Sequence, residues 1–260
     1  MTAQIALHEL RVLMRSPFAW LAAGLLQLLF GWLFLSAVER FMENQTAATQ
    51  VISQSVSQSV SQAGSSAGLS SYLIVHFLAP VSIVFMVATP LLCMHLIAGD
   101  KQSNRFNFLL SLPVSAQQIV VGKFIGATTF QCLIIAMGAV LLAILSFNIR
   151  LDTTHFLTAG IGLMLFVAAT TALTLFFSSL SNRPVLAAFF SFVTMTLMWV
   201  AAASSTSGLL QFASPSAHLH SFMQGLLDSR DVVYYLAVIC ILLTLGVWRF
   251  DAQRVRGFTT

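Results

Sequence analysis

The chain has 260 residues, of which 58% are hydrophobic and only 8% are charged. Water-soluble domains carry roughly 25% charged residues, so this composition excludes a soluble globular protein and indicates a membrane protein. The formal net charge of +4 is too small and too dispersed for a nucleic-acid-binding surface. Each of the three cysteines lies inside an apolar run, which predicts buried free thiols at Cys93, Cys132 and Cys240.

Six apolar segments are long enough to cross a hydrocarbon core, which needs about 20 helical residues. None of them has an Asp, Glu, Lys or Arg before its last two residues. The first also resembles a signal peptide, but it is longer than the usual apolar region of roughly 7–15 residues. We therefore predict one all-α, polytopic membrane domain over residues 1–260, with spans at about 18–38, 72–98, 124–147, 156–180, 185–203 and 232–250.

The lysines and arginines between the spans predict the orientation, because positive charge is retained on the cytoplasmic side. Alternate connecting segments hold either nine or three of these residues. With six spans, this split places both termini in the cytoplasm. The nine are Arg11, Arg15, Lys101, Arg105, Lys123, Arg183, Arg249, Arg254 and Arg256, against Arg40, Arg150 and Arg230 on the outer side.

The first connecting segment, residues 39–71, is polar and rich in Ser and Gln. Ile52, Val56 and Val60 recur every four residues within it, which is also compatible with a helix. Two interpretations stay open. The segment is either a low-complexity external loop or a short helical hairpin that stacks on a second copy or on a periplasmic partner.

The second connecting segment, residues 99–123, predicts a cytoplasmic elbow. Ser103 is suited to cap a short helix whose apolar face consists of Phe106, Leu109 and Leu110, at i, i+3, i+4 spacing. Pro113 ends that helix. An amphipathic helix at the inner surface must bury its apolar face in lipid headgroups or in another protein.

A second helix is expected directly after the proline. Ser115 and Gln118 have the S-x-x-Q spacing of a capping box and predict the start of the helix that leads into the third span.

The outer segment 204–231 is too apolar for a solvated loop and too interrupted for a span. Pro215 and Gly225 break it, and Phe222 lies among further Leu and Met residues, which predicts short re-entrant helices covered by protein. Its end carries Asp228, Arg230 and Asp231, where we expect Arg230 to form a structural ion pair with one of the two acids.

Sequence motifs for catalysis are absent. The chain has no G-x-x-x-x-G-K-[ST], G-x-S-x-G or H-E-x-x-H motif, so we expect no catalytic residues and no ATP site. The clusters Cys93-Met94-His95 and His218-Leu219-His220 are weak metal-ligand candidates, because residues at i and i+2 do not share a helix face. We therefore expect no metal site and no cofactor in this chain. The lack of acidic and basic residues within the spans also disfavours a proton-driven transporter.

Four segments together resemble the ABC-2 type permease subunits, in particular the gliding-motility and nitrous-oxide-reductase-maturation branch. The first segment, Glu9-Leu10-Arg11 with Arg15-Ser16-Pro17-Phe18-Ala19-Trp20, resembles that branch's amphipathic entry helix. The second is Leu109-Leu110-Ser111-Leu112-Pro113-Val114-Ser115 with Gly122-Lys123, and the third is Phe176-Phe177-Ser178-Ser179-Leu180. The fourth consists of Ser214-Pro215, His218-Leu219, Phe222, Gly225, Asp228 and Arg230-Asp231-Val232-Val233-Tyr234-Tyr235.

This resemblance implies an exporter subunit of the bacterial inner membrane. Two six-span permease copies would form the pathway, and a dimer of separate ABC ATPase subunits would bind ATP and Mg²⁺ beneath them. The elbow residues would then couple the two subunits, and segment 204–231 would form an outer gate.

A second function stays open, in which the chain is a scaffold or force-transmitting subunit without transport. It would recruit periplasmic or auxiliary membrane partners through the Ser/Gln segment.

Overall fold

The computed structural model describes residues 2–54, 66–99, 115–146, 153–181, 183–204, 212 and 214–257. These residues are folded as helices and short turns, with no strand among them. The helices are α1 (Thr2–Arg15), α2 (Pro17–Gln54), α3 (Ser66–Cys93), α4 (Ala116–Ser146), α5 (Thr153–Leu180), α6 (Pro184–Ser204), α7 (Pro215–Met223) and α8 (Ser229–Gly257).

Six of these helices, α2 to α6 and α8, are long and apolar enough to cross a membrane. The all-helical prediction with six such segments is therefore confirmed. The N-terminal helix α1 is amphipathic, since Ala6 is buried and Leu10 packs on the core, whereas Gln4, His8 and Arg11 are exposed.

Several helices extend beyond the predicted span limits. The predicted external loop 39–71 is helical over residues 39–54 and again from Ser66, so the loop interpretation is wrong for those residues. Residues 39–54 contain no Gly or Pro, and a helix already nucleated in the preceding span continues at little cost through Ala, Glu, Gln and Met. At the other boundary, α3 ends at Cys93 rather than near 98.

Helix α5 lies at the centre of the bundle and packs against α3, α4, α6, α7 and α8. Most of its buried positions carry Ala, Ser or Thr, which allow close approach of neighbouring helices. The buried hydroxyls of Thr170 and Thr174 donate to the carbonyls of Val167 and Thr170 in their own helix. Small polar residues can therefore line this interface without unsatisfied donors.

A buried polar cluster joins α3, α4 and α5. The side-chain oxygen Oε1 of Gln131 accepts hydrogen bonds from Thr89 Oγ1 at 3.3 Å and from Thr171 Oγ1 at 3.2 Å. Gln131 Nε2 donates to Cys93 Sγ at 3.1 Å. All four residues are almost inaccessible, so the cluster links three helices in the interior.

The outer surface of the bundle is strongly apolar. Along α2, exposed side chains recur at alternating spacings of four and three residues, which places them on one face: Leu21, Leu25, Leu28, Trp32 and Leu35. Such a surface requires lipid or another apolar partner. Cys240 also lies on this surface, so the prediction that all three thiols are buried holds for Cys93 but is wrong for Cys240.

We expect Gln131→Leu to lower the free energy of unfolding by about 1–3 kcal/mol, because the buried Thr89 hydroxyl and the other polar groups of the cluster lose their partner. Unfolding of the purified chain in mixed micelles measures this change. Thr194→Val is the matched control, since that exposed hydroxyl donates to Phe190 O in its own helix, and it should change little. Equal stability of the two variants would contradict a structural role for the cluster.

Candidate functional site

Two ends of the bundle carry the residues singled out by the sequence. We call the end that contains α1, the start of α4 and the end of α5 the α1 end. The opposite end, which contains α7, the start of α5 and the start of α8, is called the α7 end.

At the α1 end, α1 crosses the first turns of α4 at very short distance. A Cβ added to Gly122 would lie 2.8 Å from Ile5 Cγ2, and one added to Gly126 would lie 2.9 Å from the backbone oxygen of Ala6. The two glycines form a G-x-x-x-G pattern, which allows the backbones of two helices to approach closely. The sequence carried this signal, but only Gly122 entered the family resemblance.

A buried ion pair fixes the same crossing. Lys123 Nζ donates to Glu9 Oε1 at 2.5 Å, and Lys123 is only 3% exposed. A buried ammonium requires a paired carboxylate, so this contact locks the rotation of α1 on α4. Neither residue could be assigned to this pair from sequence, because 114 positions separate them.

Helix α4 begins where the capping motif predicts. Gln118 N donates to Ser115 Oγ at 3.4 Å and to Ser115 O at 3.0 Å. The other five predicted coupling residues lie outside the described residues: Ser103, Phe106, Leu109, Leu110 and Pro113.

The chain that leaves α3 toward the elbow is held by Ser178 of α5. Ser178 Oγ accepts hydrogen bonds from the backbone N–H groups of Ile97 at 3.2 Å and Ala98 at 2.9 Å, and it donates to Met94 O at 3.3 Å. Ser178 belongs to the third segment of the resemblance, but its partners were not predictable from sequence. Both flanks of segment 99–123 are thus anchored, one on α5 and the other on α1.

An open cleft of about 590 Å³ lies beside this anchor, between the turn after α3 and the start of α6. His95 and Arg183 provide its polar lining, together with Met94, Pro184, Val185 and Leu186.

At the α7 end, α7 lies buried against α5. Phe222 is fully buried, and a Cβ added to Gly162 would lie 2.5 Å from Phe222 Cβ. The helix begins with Pro215 in its first turn and ends in a Schellman motif, in which Gly225 N donates to Phe222 O and Leu226 N donates to Ser221 O.

Gly225 has φ +79°, a left-handed conformation that favours glycine, and a Cβ there would collide with the His155 ring. The proline and the glycine therefore interrupt the backbone as predicted.

The charged residues at the start of α8 form contacts different from those expected. Asp228 caps α8, because its Oδ1 accepts a hydrogen bond from the backbone N–H of Arg230 at 3.1 Å. Asp231 lies on the buried side of the first turn, and its Oδ1 is 2.6 Å from His218 Nδ1. The expected side-chain pair between Arg230 and an acid is replaced by these contacts, because helix periodicity turns Asp231 toward α7 and Arg230 toward the exterior.

His218 is the centre of this cluster. Its Nε2 lies 2.9 Å from the Phe212 carbonyl oxygen, and its ring stacks on Tyr234 with centroids 3.9 Å apart. Tyr235 is fully buried and donates its hydroxyl to Pro215 O at 2.6 Å. The sequence placed His218 and both tyrosines in the resemblance without giving them these partners. Among the described residues, no group of three or more His, Cys, Asp or Glu could hold a metal ion.

We expect Lys123→Met and Glu9→Met each to destabilise the α1–α4 crossing by about 3–5 kcal/mol, because each removes the opposite charge from the remaining buried group. The double variant Glu9→Met/Lys123→Met should cost less than the sum of the single changes. Deuterium exchange of α1 and the unfolding midpoint in micelles measure both effects. Additive losses would show that the pair does not stabilise the crossing.

Comparison with known proteins identifies the family to which the chain belongs. The family model described as "ABC-2 family transporter protein" matches residues 3–255. No curated protein matches the chain. The match covers nearly all of the chain, including α1, all six long apolar helices and α7. The chain is therefore an integral membrane protein that belongs to the ABC-2 transporter family.

Proposed function

We propose that the chain is the permease subunit of an ATP-driven exporter. It forms the pathway together with a second copy and is driven by a dimer of separate ABC ATPase subunits, which bind ATP and Mg²⁺. Family membership supports a membrane transport component.

The observation that carries the coupling proposal is the anchoring of both flanks of segment 99–123. On one flank, Ser178 holds the backbone of Ile97 and Ala98 against the central helix. On the other flank, Lys123 and the two glycines fix α4 on α1. A displacement imposed on the elbow by an ATPase subunit would therefore be transmitted to α4, α5 and α1 rather than lost in a flexible connection.

At the opposite end, α7 and the turn into α8 are proposed as the outer gate, with Pro215, Phe222, Gly225, Asp228, Arg230 and Asp231 as its residues. The burial of Phe222 on Gly162 and the contact of Gly225 with His155 support this role. The helix covers the start of the central helix α5, so its displacement would expose the interior of the bundle at that end.

The distribution of charge supports a cytoplasmic α1 end in a bacterial inner membrane. Cations gather at this end of the bundle, as the rule of positive charge on the cytoplasmic side requires. They include Arg11 and Arg15 at α1, Lys123, Arg183 and Arg249. Both termini would then be cytoplasmic, and the segment around residues 39–71 would be available to a periplasmic or auxiliary membrane partner.

Phe106→Asp or Leu110→Asp should abolish copurification of the ATPase subunit, because each places an unpaired charge in a desolvated contact. Membrane insertion should be unaffected, since neither residue belongs to a span. Asn104→Asp is the matched control, because it adds the same charge on the opposite side of the predicted helix. Unchanged copurification and ATPase activity in the Phe106 and Leu110 variants would show that the elbow lies at the membrane surface without contacting the ATPase subunit.

Measurement of ATP-dependent substrate movement in the same complex separates the two functional classes. An ATPase that copurifies and hydrolyses ATP without any movement of a substrate would favour the force-transmitting subunit over the exporter.

The orientation is tested by single cysteines at Ser57 and Ser103 in a chain whose native cysteines are replaced by Ala. A membrane-impermeant thiol reagent applied to intact cells should label position 57 and spare position 103. Permeabilised cells provide the control, because both positions should then react. Labelling of position 103 alone in intact cells would reverse the orientation.

A further inference from the structure

At the α7 end, both ring nitrogens of His218 face hydrogen-bond acceptors. Nδ1 faces a carboxylate oxygen of Asp231 at 2.6 Å, and Nε2 faces the carbonyl oxygen of Phe212 at 2.9 Å. A carbonyl oxygen and the carboxylate oxygens of ionised Asp231 can only accept hydrogen bonds. The ring therefore makes both bonds at once only as the imidazolium, with an N–H on each nitrogen.

Loss of that proton removes one of the two bonds. A neutral imidazole has one N–H and one lone pair, so either Asp231 or the Phe212 carbonyl would face a lone pair. Among the described residues, little could replace the cation beside the carboxylate, because Asp231 is only 7% exposed and its buried Oδ2 has no hydrogen-bond partner there. The three aromatic rings beside His218, those of Phe212, Tyr234 and Tyr235, also favour a cationic ring over a neutral one.

These bonds connect three separate pieces of the α7 end: the chain before α7, α7 itself and the first turn of α8. We propose that His218 and Asp231 form a proton-operated latch, closed when His218 is protonated and released when it is neutral. Histidine is the side chain whose charge changes near physiological pH. The latch is a property of this chain alone, whereas its action as a gate rests on the proposed transport function.

Other titratable groups occur on the helices around α7, and they define the alternatives to His218. On α3 they are Tyr72, His76 and Cys93, and on α5 there is His155, which lies against Gly225. Helix α6 has none. Beside Asp231, the first turns of α8 hold Asp228, Arg230, Tyr234 and Tyr235. On α7 itself, His220 is exposed and lies 3.2 Å from Gln224.

The test is deuterium exchange of the full chain in lipid nanodiscs between about pH 5.5 and pH 9, the range that brackets imidazole titration. Rates are corrected for the intrinsic pH dependence of amide exchange. In the wild-type chain, protection of residues 215–227 should fall by about tenfold or more as pH rises, the effect of losing one charge-assisted hydrogen bond. The segment around Gln131 serves as the internal reference and should keep its protection.

Two variants and one control identify the titrating group. His218→Gln and Asp231→Asn should each remove the pH step and leave α7 poorly protected at every pH. His220→Gln removes an imidazole from the same helix outside the latch and should keep the step. A wild-type chain without a step, or a step that persists in both His218→Gln and Asp231→Asn, would overturn the latch.

Neither result depends on an ATPase. Failure of the latch in this experiment is thus distinct from failure of the transport proposal, which the copurification of the Phe106 and Leu110 variants decides.

Discussion

The association of helices in this bundle depends on close packing and internal hydrogen bonds, because lipid hydrocarbon leaves no hydrophobic drive between apolar helices. Helix α5 meets this constraint with Ala, Ser and Thr at most of its buried positions, and the hydroxyls of Thr170 and Thr174 are satisfied within the helix. Five other helices can therefore pack against it. The cluster around Gln131 adds direct bonds between helices where packing alone would permit sliding.

Both ends of the bundle combine a close glycine contact with a buried side-chain pair. At the α1 end, two glycines bring backbones together and one buried ion pair fixes their relative rotation. At the α7 end, Gly162 admits Phe222, and the pair of His218 and Asp231 fixes α7 on α8. In each case the glycine contact sets the distance between the helices, and the side-chain pair sets their register.

The two ends differ in how readily their charged contacts can be altered. An imidazolium changes its charge near neutral pH. The latch proposed at the α7 end therefore depends on a proton, whereas the anchors beside segment 99–123 are an ammonium–carboxylate pair and backbone hydrogen bonds to Ser178.

Much of the architecture could be predicted from local patterns. The apolar runs determined six long helices, and the S-x-x-Q spacing determined the start of α4 at Ser115, because helix caps and span lengths are local properties. The C-terminal limit of α2 could not be predicted in this way. Polar composition suggested a loop over 39–54, whereas a helix without Gly or Pro continues past the membrane-spanning part.

Contacts between distant segments required the tertiary structure. Gly122-x-x-x-Gly126 was visible as a pattern, but only the fold identified α1 as the helix that fills it. The carboxylate that neutralises Lys123 lies at Glu9, and the acid beside His218 is Asp231 rather than a partner of Arg230. The sequence by itself determined the helices, their membrane character and the breaks at Pro215 and Gly225, since each follows from neighbouring residues. Only the tertiary structure decided which buried charges meet, because a pairing across helices depends on their rotation and relative height.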